Sequence, residues 1–516
     1  MLFRSHTHGD RARVFGRGRG DRRVSGLAQI GGPVACLGLA LLLVARRRRD
    51  RLAGLGFATL GAGLLGLSLA PNAPGRLAVG VAAALAAAGA AAIAFRLVPW
   101  LLPLAALACV PVRLNVHLAG SGSKLLLPLY VLVLGATMLL ARELVRGDTR
   151  ARELGIAAWP LAAYLAWTGV SIVWSKDLHA GAIEVLAFYV PLTILALSLA
   201  RLPWSELGIR ALYAEVTLMG LVFAVVGFYQ YETRDIFQNP KVITANAYAQ
   251  FFRVNSVFWD PSVYGRFLVV AIVPGLVLLV AARAPRLAFV AVAAIVVLWL
   301  GLLISFSQSS FAALIVAVVG ASLVAWRWRA LVGVAVAAAV LVGIAAAQPV
   351  LRHSIEHHTS SGLNSASSGR YSLVANGIRI AVAHPATGVG VGGFRRAYAA
   401  RVHLKGKKLS KAASHDTPVT VAAETGVVGL AFLVWLVVAL ALQTLRRIDR
   451  TPPGRVALAA GLALAAILVH SLFYNDFFED STTWLLVGLL ALAAAQRAPA
   501  AVEEAAPVER KEAVPV

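Results

Sequence analysis

The chain has 516 residues, of which 59% are hydrophobic and 14% are charged. That share of apolar residues excludes a soluble globular domain, and apolar runs that do not alternate exclude a β-barrel. The formal net charge of +24 would indicate a nucleic-acid partner in a soluble protein, but in a membrane protein it follows largely from basic loops, so no nucleic acid is expected. We therefore predict an all-α transmembrane bundle of about 12 to 15 spans.

The first segment, residues 1–26, is rich in arginine and predicts a disordered or cytoplasmic tail. It offers no apolar face for an amphipathic helix, although contact with anionic headgroups stays open as an alternative. The last segment, residues 498–516, is acidic and rich in alanine and proline, which predicts a second disordered tail. Both cysteines, Cys36 and Cys109, lie in apolar segments and are predicted to be free.

Apolar runs between the tails predict transmembrane regions at 27–230, 264–347 and 418–497. Loops at 231–263 and 348–417 separate these regions. The candidate spans are 27–45, 52–70, 77–95, 97–113, 124–141, 155–174, 180–200, 211–230, 264–282, 287–306, 309–326, 330–347, 418–443, 457–473 and 481–497. The basic connections fall on one side in this count, so that side is predicted to be cytoplasmic. The Arg46–Arg49 cluster and the basic N-terminal tail then lie on opposite sides of the first span, which is a conflict.

The loop at 348–417 lies on the outer side in this topology and is strongly basic. Between Arg352 and Lys411 it contains ten Lys or Arg residues and one acid, Glu356. Helical spacing of apolar residues predicts a helix from about Arg370 to Ala383, capped by Ser367 or Ser368. This helix places Arg370 in its first turn, where free N–H groups favour an anion.

Three further motifs do not predict an activity of their own. The glycines of residues 388–393 satisfy G-x-G-x-x-G, but a predicted helix precedes them where a dinucleotide fold needs a strand, so they predict a tight turn. Residues 353–357 satisfy H-x-x-E-H without a protease domain around them, which favours adventitious metal binding. The serines of residues 307–310 favour helix packing over a cavity lining.

The strongest candidates for chemistry lie in the two outward loops. Arg253 precedes Asp260 in the first loop, and Arg370 and His415 lie in the second. Two guanidinium groups can bind a diphosphate bidentately, and a histidine can accept a proton from a hydroxyl near neutral pH. Further candidate substrate-binding residues in the basic loop are Arg395, Arg396 and Asp416.

The order of these motifs resembles the signature of the O-antigen ligase superfamily. The matching residues are Phe258-Trp259-Asp260-Pro261-Ser262, Ser368-Gly369-Arg370, His384-Pro385, Gly388-Val389-Gly390, Gly393-Phe394, His415 and Glu424-Thr425-Gly426. The resemblance covers about Arg253 to Leu430. Three residues depart from the family pattern, namely Asp416 and Ser262, where Asn is common, and Gln308, where Arg is common.

This resemblance implies a GT-C-like membrane glycosyltransferase of the bacterial plasma membrane that inverts configuration and needs neither a metal nor another cofactor. Its partners would be an undecaprenyl-diphosphate-linked glycan, a glycan or lipid acceptor, and the bilayer. Arg253 and Arg370 would hold the diphosphate, and His415 would activate the acceptor. A polymerase of lipid-linked repeat units, transfer to protein hydroxyls, and a transporter or flippase remain alternatives. The transporter predicts charges within spans, where we identified only Glu184 and Glu215, near span ends.

Overall fold

A computed structural model describes part of the chain. The described residues are 19–69, 74–118, 121–237, 239–248, 251–281, 284–329, 332–333, 335, 370–404 and 415–496. The two terminal tails lie largely outside these ranges, as do most of the predicted span at 330–347, the H-x-x-E-H motif, and the first and later parts of the loop at 348–417.

The described part is helical apart from one antiparallel hairpin, β1 (Leu114–Leu118) and β2 (Ser121–Leu125). The helices, numbered along the described residues, are α1 (Arg19–Val44), α2 (Arg48–Leu69), α3 (Pro74–Leu97), α4 (Leu101–Ala108), α5 (Leu127–Val145), α6 (Ala158–Ser171), α7 (Leu178–Glu184), α8 (Val190–Ala200), α9 (Glu206–Thr233), α10 (Pro240–Tyr248), α11 (Pro261–Ala281), α12 (Pro285–Ser305), α13 (Gln308–Trp326), α14 (Arg370–Ala383), α15 (Phe394–Arg401), α16 (Thr417–Leu445), α17 (Pro452–His470) and α18 (Ser481–Ala495). One turn of π-helix, Val185–Tyr189, joins α7 to α8.

Twelve helices in the described ranges are long and apolar enough to cross a membrane. This confirms the prediction of a polytopic helical bundle. Polar residues set several of the helix starts, because their side chains accept hydrogen bonds from the free N–H groups of the first turn. These N-cap residues are Ser205, Ser307, Asp416, Thr451 and Asp480.

The predicted span at 97–113 is wrong as a continuous helix. Only the eight-residue α4 forms there, which at about 1.5 Å per residue is too short to cross. Pro99, Pro103 and Pro111 interrupt the apolar run, and proline breaks helices that hydropathy alone would predict. The chain nevertheless runs between the two ends of the bundle. Trp100 donates to the Pro203 carbonyl at 3.0 Å at one end, and residues 110 and 113 line a small cavity beside α11 at the other.

One end of the bundle, which we call the basic end, is held by ion pairs among its loops. Arg51, at 1% exposure, pairs with Glu153 at 2.8 Å. Arg201 pairs with Glu143 at 2.7 Å and with Asp148 at 2.8 Å, and it also contacts Glu153. These contacts place the connections after α1, α5 and α8 together, as the charge pattern predicted. The Arg46–Arg49 cluster belongs to this end, because Arg48 donates to carbonyls at the end of α5.

Charged side chains within the spans are more numerous than the sequence reading recognised. Arg266 lies in α11 and Glu424 in α16, and both are buried. The charge of Arg266 is balanced by ion pairs with Asp476 and with Asp480, the latter at 2.8 Å. The Glu424 side chain accepts a hydrogen bond from the Phe394 N–H at 3.0 Å. Sequence hydropathy averages over such residues and does not register their partners, which lie far away in the chain.

Candidate active site

Arg253 lies in the segment between α10 and α11, and two neighbouring helices fix its position. Asn246 of α10 brackets its backbone, accepting from the Arg253 N–H at 3.1 Å and donating to the Arg253 carbonyl at 2.9 Å. The Arg253 Nε donates to the Ser305 carbonyl, at the end of α12, at 3.3 Å. The guanidinium is therefore held at a defined point, although it belongs to a loop.

Arg370 is the first residue of α14, as the sequence predicted, and Ala383 is the last. The serines predicted to cap this helix lie outside the described residues. α14 packs on α16, and the Gly377 backbone lies so close to Val419 and Phe394 that an added Cβ would be 2.5 Å from a Val419 methyl. Because α16 begins just after His415, this packing positions Arg370 and His415 through one pair of helices.

His415 and Asp416 immediately precede α16. Asp416 caps this helix, and its Oδ1 accepts from the Val419 N–H at 2.8 Å. Burial raises the pKa of Asp416, and the hydrogen bond from Val419 opposes this shift. The His415 ring lies edge-on to Tyr474, with ring centroids 5.8 Å apart. The Asp416 carboxylate thus stabilises the helix start that carries His415.

Arg370 and Asp260 lie close enough to both Arg253 and His415 to act on each of them electrostatically. Burial lowers the pKa of His415, the positive charge of Arg370 lowers it further, and the Asp260 carboxylate raises it. Burial likewise lowers the pKa of Arg253, which Asp260 raises and Arg370 lowers. The structure therefore brings Arg253 of the first predicted loop together with Arg370 and His415 of the second.

Two members of this cluster were not identified from sequence as functional residues. Tyr474 donates a hydrogen bond to Asp260, and burial together with this carboxylate raises the pKa of Tyr474. Asp260 also accepts from the Ser262 N–H at 2.8 Å, at the start of α11. Asp260 could have been found from sequence, because it lies in the motif Phe258-Trp259-Asp260-Pro261-Ser262. Tyr474 could not, because it lies in a short loop with no motif around it.

A second buried layer lies beside the cluster and is centred on Arg266. Its guanidinium contacts Asp476 and Asp480 in the segment between α17 and α18. The same segment contacts the start of α16: the Thr417 N–H donates to the Ser471 carbonyl at 2.9 Å, and the Thr417 hydroxyl lies 3.3 Å from the Tyr474 carbonyl. Residues 471–480 therefore join the His415 side of the cluster to α11.

Arg395 and Arg396 are exposed at the start of α15. The Nε of Arg396 pairs with Asp177 at 2.7 Å, and one of its amino groups donates to the Lys176 carbonyl at 3.3 Å. Arg396 therefore joins α15 to the segment before α7. The structure records no contact of either arginine with the His415 cluster among the described residues.

The glycine motif forms a backbone bracket with α16, which confirms the predicted turn. Gly388, Gly390 and Gly392 all adopt positive φ. The Val389 and Gly390 amides donate to carbonyls of residues 423 and 424 at 2.9 and 2.8 Å, and the Val427 amide donates to the Pro385 carbonyl at 2.8 Å. α16 is interrupted there, since Gly426 has φ 71° and ψ −170°. The loop thus satisfies backbone groups that the interruption leaves free.

Replacing Gly388 by alanine is expected to destabilise the protein by about 3 kcal/mol. The backbone at this position has φ +65°, and an added Cβ would lie 2.3 Å from the carbonyl carbon of Glu424. Thermal unfolding in detergent is the measurement. Gly89→Ala is the matched control, because nothing lies within 4 Å of a Cβ there. Equal melting temperatures for the two variants would contradict the bracket.

The serine motif behaves as predicted for packing. The Ser307 hydroxyl accepts from the Ser310 N–H at the start of α13, and the Ser310 hydroxyl donates to the Ser262 carbonyl at 3.2 Å. Ser310 therefore joins α13 to the start of α11. Gln308, at the position where the family often has Arg, is exposed. Cys36 and Cys109 are free, as predicted.

Comparison with protein families identifies the region that contains α13 to α15. Residues 293–434 match the family model described as O-antigen ligase. This region of the chain is therefore similar to O-antigen ligases. The matched range contains Arg370, His415 and the bracket at Gly426, and it excludes Arg253 and Tyr474. The protein is thus a multi-pass membrane protein in which one region is similar to the O-antigen ligase family. The chain matched none of the curated proteins with which it was compared.

Proposed function

We propose that this protein is an inverting glycosyltransferase that moves a glycan from undecaprenyl diphosphate to an acceptor at the outer face of the bacterial plasma membrane. The observation that carries the proposal is the convergence of Arg253, Arg370 and His415. This convergence combines two cations suited to a diphosphate with one base suited to a hydroxyl. The similarity to O-antigen ligases supports the same class of donor and reaction.

In the proposed reaction, the two arginines bind the diphosphate of the donor. As the bond between the anomeric carbon and the diphosphate oxygen breaks, its electron pair stays with the diphosphate. Arginine side chains stabilise that developing charge, and in a partly buried site they do so more strongly than in water. The leaving group needs no acid, because a diphosphate is a weak base.

His415 accepts the proton of the acceptor hydroxyl while the acceptor oxygen forms the new bond to the anomeric carbon. Attack from the side opposite the diphosphate inverts the configuration. The lowered pKa of His415 favours the neutral imidazole, and only the neutral ring can accept a proton. Tyr474 and Asp260 orient this region, with the Tyr474 ring against the imidazole.

The test is transfer by the purified protein from a glycan–undecaprenyl diphosphate donor in the presence of EDTA. Lipid, protein and second-donor acceptors are offered separately, which distinguishes a ligase from a polymerase of repeat units. We expect transfer by the wild type and loss in His415→Ala. His384→Ala is the control. His384 lies in the same loop, 348–417, as His415, but its ring nitrogen lies 3.4 Å from the Lys176 amino group.

Two outcomes contradict the proposal. Equal rates of transfer by His415→Ala and His384→Ala would contradict the role of His415 as the base. Donor that is bound or carried across a bilayer without transfer to any acceptor would indicate a transporter, the alternative of another class. Abolition of transfer by EDTA would instead contradict the metal-independent form of the reaction.

The pH dependence of transfer follows from the charges around His415. Because burial and Arg370 lower the pKa of His415, kcat/KM is expected to rise with pH through a midpoint below the ordinary histidine value of about 6.5. Asp260→Asn removes the carboxylate that raises this pKa, so the midpoint is expected to move to still lower pH. The midpoint is measured from the pH dependence of kcat/KM for the wild type and for Asp260→Asn. A midpoint that moves upward in Asp260→Asn would contradict the assignment.

A further inference from the structure

A cavity lies at the basic end, away from the His415 cluster. Its volume is about 320 Å³, and it lies between α3, α5 and the segment after α8. One side is apolar and is formed by Phe95, Leu102, Leu139 and Leu140. The other side is polar and carries Arg96, Arg142, Glu143, Arg150, Ser198 and Arg201. The cavity is thus amphipathic, with cations concentrated at one edge.

The ion pairs at the basic end leave positive charge at this edge. Arg201 and Arg150 are balanced by acids: Arg201 by Glu143 and Asp148, and Arg150 by Asp148 at 2.6 Å. Among the described residues, no ion pair is recorded for Arg96 or Arg142. Each lies in the last turn of its helix, α3 and α5 respectively, where the helix dipole already favours a cation. Two guanidinium groups are therefore available for an anion.

A buried hydroxyl adds a second, independent sign of a ligand. The Ser198 Oγ is buried and has no hydrogen-bond partner among the described residues. Ser198 lines the same cavity, beside Arg201. A buried polar atom without a partner is unfavourable, and an acceptor oxygen inside the cavity would receive its hydrogen bond.

The position of the cavity indicates what kind of anion it holds. Arg96 and Arg142 end the candidate spans Val79–Leu97 and Leu127–Val145, and lipid phosphates lie at the depth where spans end. Only 11% of the apolar window of the first span is buried against protein, so α3 presents most of its surface to lipid. An amphiphile can therefore reach the cavity from the bilayer with its phosphate among the arginines.

We propose that this cavity binds the headgroup of an anionic phospholipid from the leaflet at the basic end. The phosphate lies between Arg96 and Arg142 and accepts from the Ser198 hydroxyl. The first part of an acyl chain packs on Phe95 and Leu139. This site is independent of the proposed transfer reaction, because its residues lie at the other end of the bundle from His415.

The test is binding of phosphatidylglycerol to the full-length protein in detergent, measured by native mass spectrometry as a titration. Phosphatidylcholine with the same acyl chains is the lipid control. The variant is Arg96→Gln combined with Arg142→Gln, and the charge-matched control is Arg286→Gln combined with Arg329→Gln, two exposed arginines outside the cavity lining. We expect the variant to bind phosphatidylglycerol about 25-fold more weakly, from about fivefold for each charge.

The control variant is expected to bind as the wild type does, and phosphatidylcholine to bind more weakly than phosphatidylglycerol. If the double variant does not fold, Arg96→Gln alone, at the exposed end of α3, is expected to lose about fivefold. Unchanged affinity in the Arg96 variants, or equal binding of the two lipids, would overturn the proposal. Inorganic phosphate that displaces phosphatidylglycerol and raises the melting temperature as much as the lipid does would assign the cavity to a free anion instead.

Discussion

Arg370→Lys is expected to lower the rate of glycan transfer about a hundredfold, and Arg370→Ala about a thousandfold. Lysine keeps the positive charge but loses the planar fork that can donate two hydrogen bonds to a diphosphate. The loss should be in kcat, because the charge on the leaving oxygen develops only as the bond breaks. The measurement is the transfer assay described above, at saturating donor.

Arg379→Lys is the matched control for this prediction. Arg379 lies on the same helix, α14, but it is exposed and its closest recorded side-chain partner is Asn376, at 3.4 Å. We expect this variant to retain wild-type transfer. Turnover of Arg370→Lys within a few-fold of Arg379→Lys would refute the role of Arg370 as a bidentate ligand of the diphosphate.

Arg266→Met is expected to lower the free energy of unfolding by about 3–5 kcal/mol. The guanidinium is 4% exposed and balances two carboxylates, Asp476 and Asp480, that methionine would leave unpaired. An unbalanced charge in such a site is far more unfavourable than loss of the pair as a whole. Thermal and denaturant unfolding in detergent, with wild type alongside, measure the change.

The triple variant Arg266→Met, Asp476→Asn, Asp480→Asn distinguishes charge imbalance from loss of packing. It removes all three charges together, and asparagine at position 480 keeps an oxygen that can cap α18, as Asp480 does by accepting from the Thr482 N–H. We expect the triple variant to recover most of the lost stability. Stability as low as that of Arg266→Met would show that the arginine acts through its shape and not through its charge.

Much of the fold was predictable because hydropathy and charge report directly on spans and loops. The helix from Arg370 to Ala383 and the glycine turn were also predictable, since both have local signals in the sequence. The segment at 97–113 was not, because its hydropathy is that of a span while its prolines shorten the helix. Proline placement should have outweighed mean hydropathy there.

The candidate site was predictable only in part, and its roles stay predictions. Arg253, Arg370 and His415 were identified by residue type and by family pattern, and the structure adds that Arg370 acts electrostatically on both of the others. Tyr474 and Arg266 were missed because their partners are far away in sequence. A tyrosine in a short loop and an arginine in an apolar helix acquire meaning only when the fold brings a carboxylate to each of them.

Residues 471–480 set the spacing of the site, and one of them, Tyr474, belongs to the cluster. At one end the segment holds the start of α16, which follows His415, through Thr417. At the other it holds α11, which follows Asp260, through Arg266. The length of this connection therefore sets the distance between His415 and the start of α11. We expect that an insertion or deletion within residues 471–480 would shift His415 relative to Asp260 without replacing any residue of the cluster.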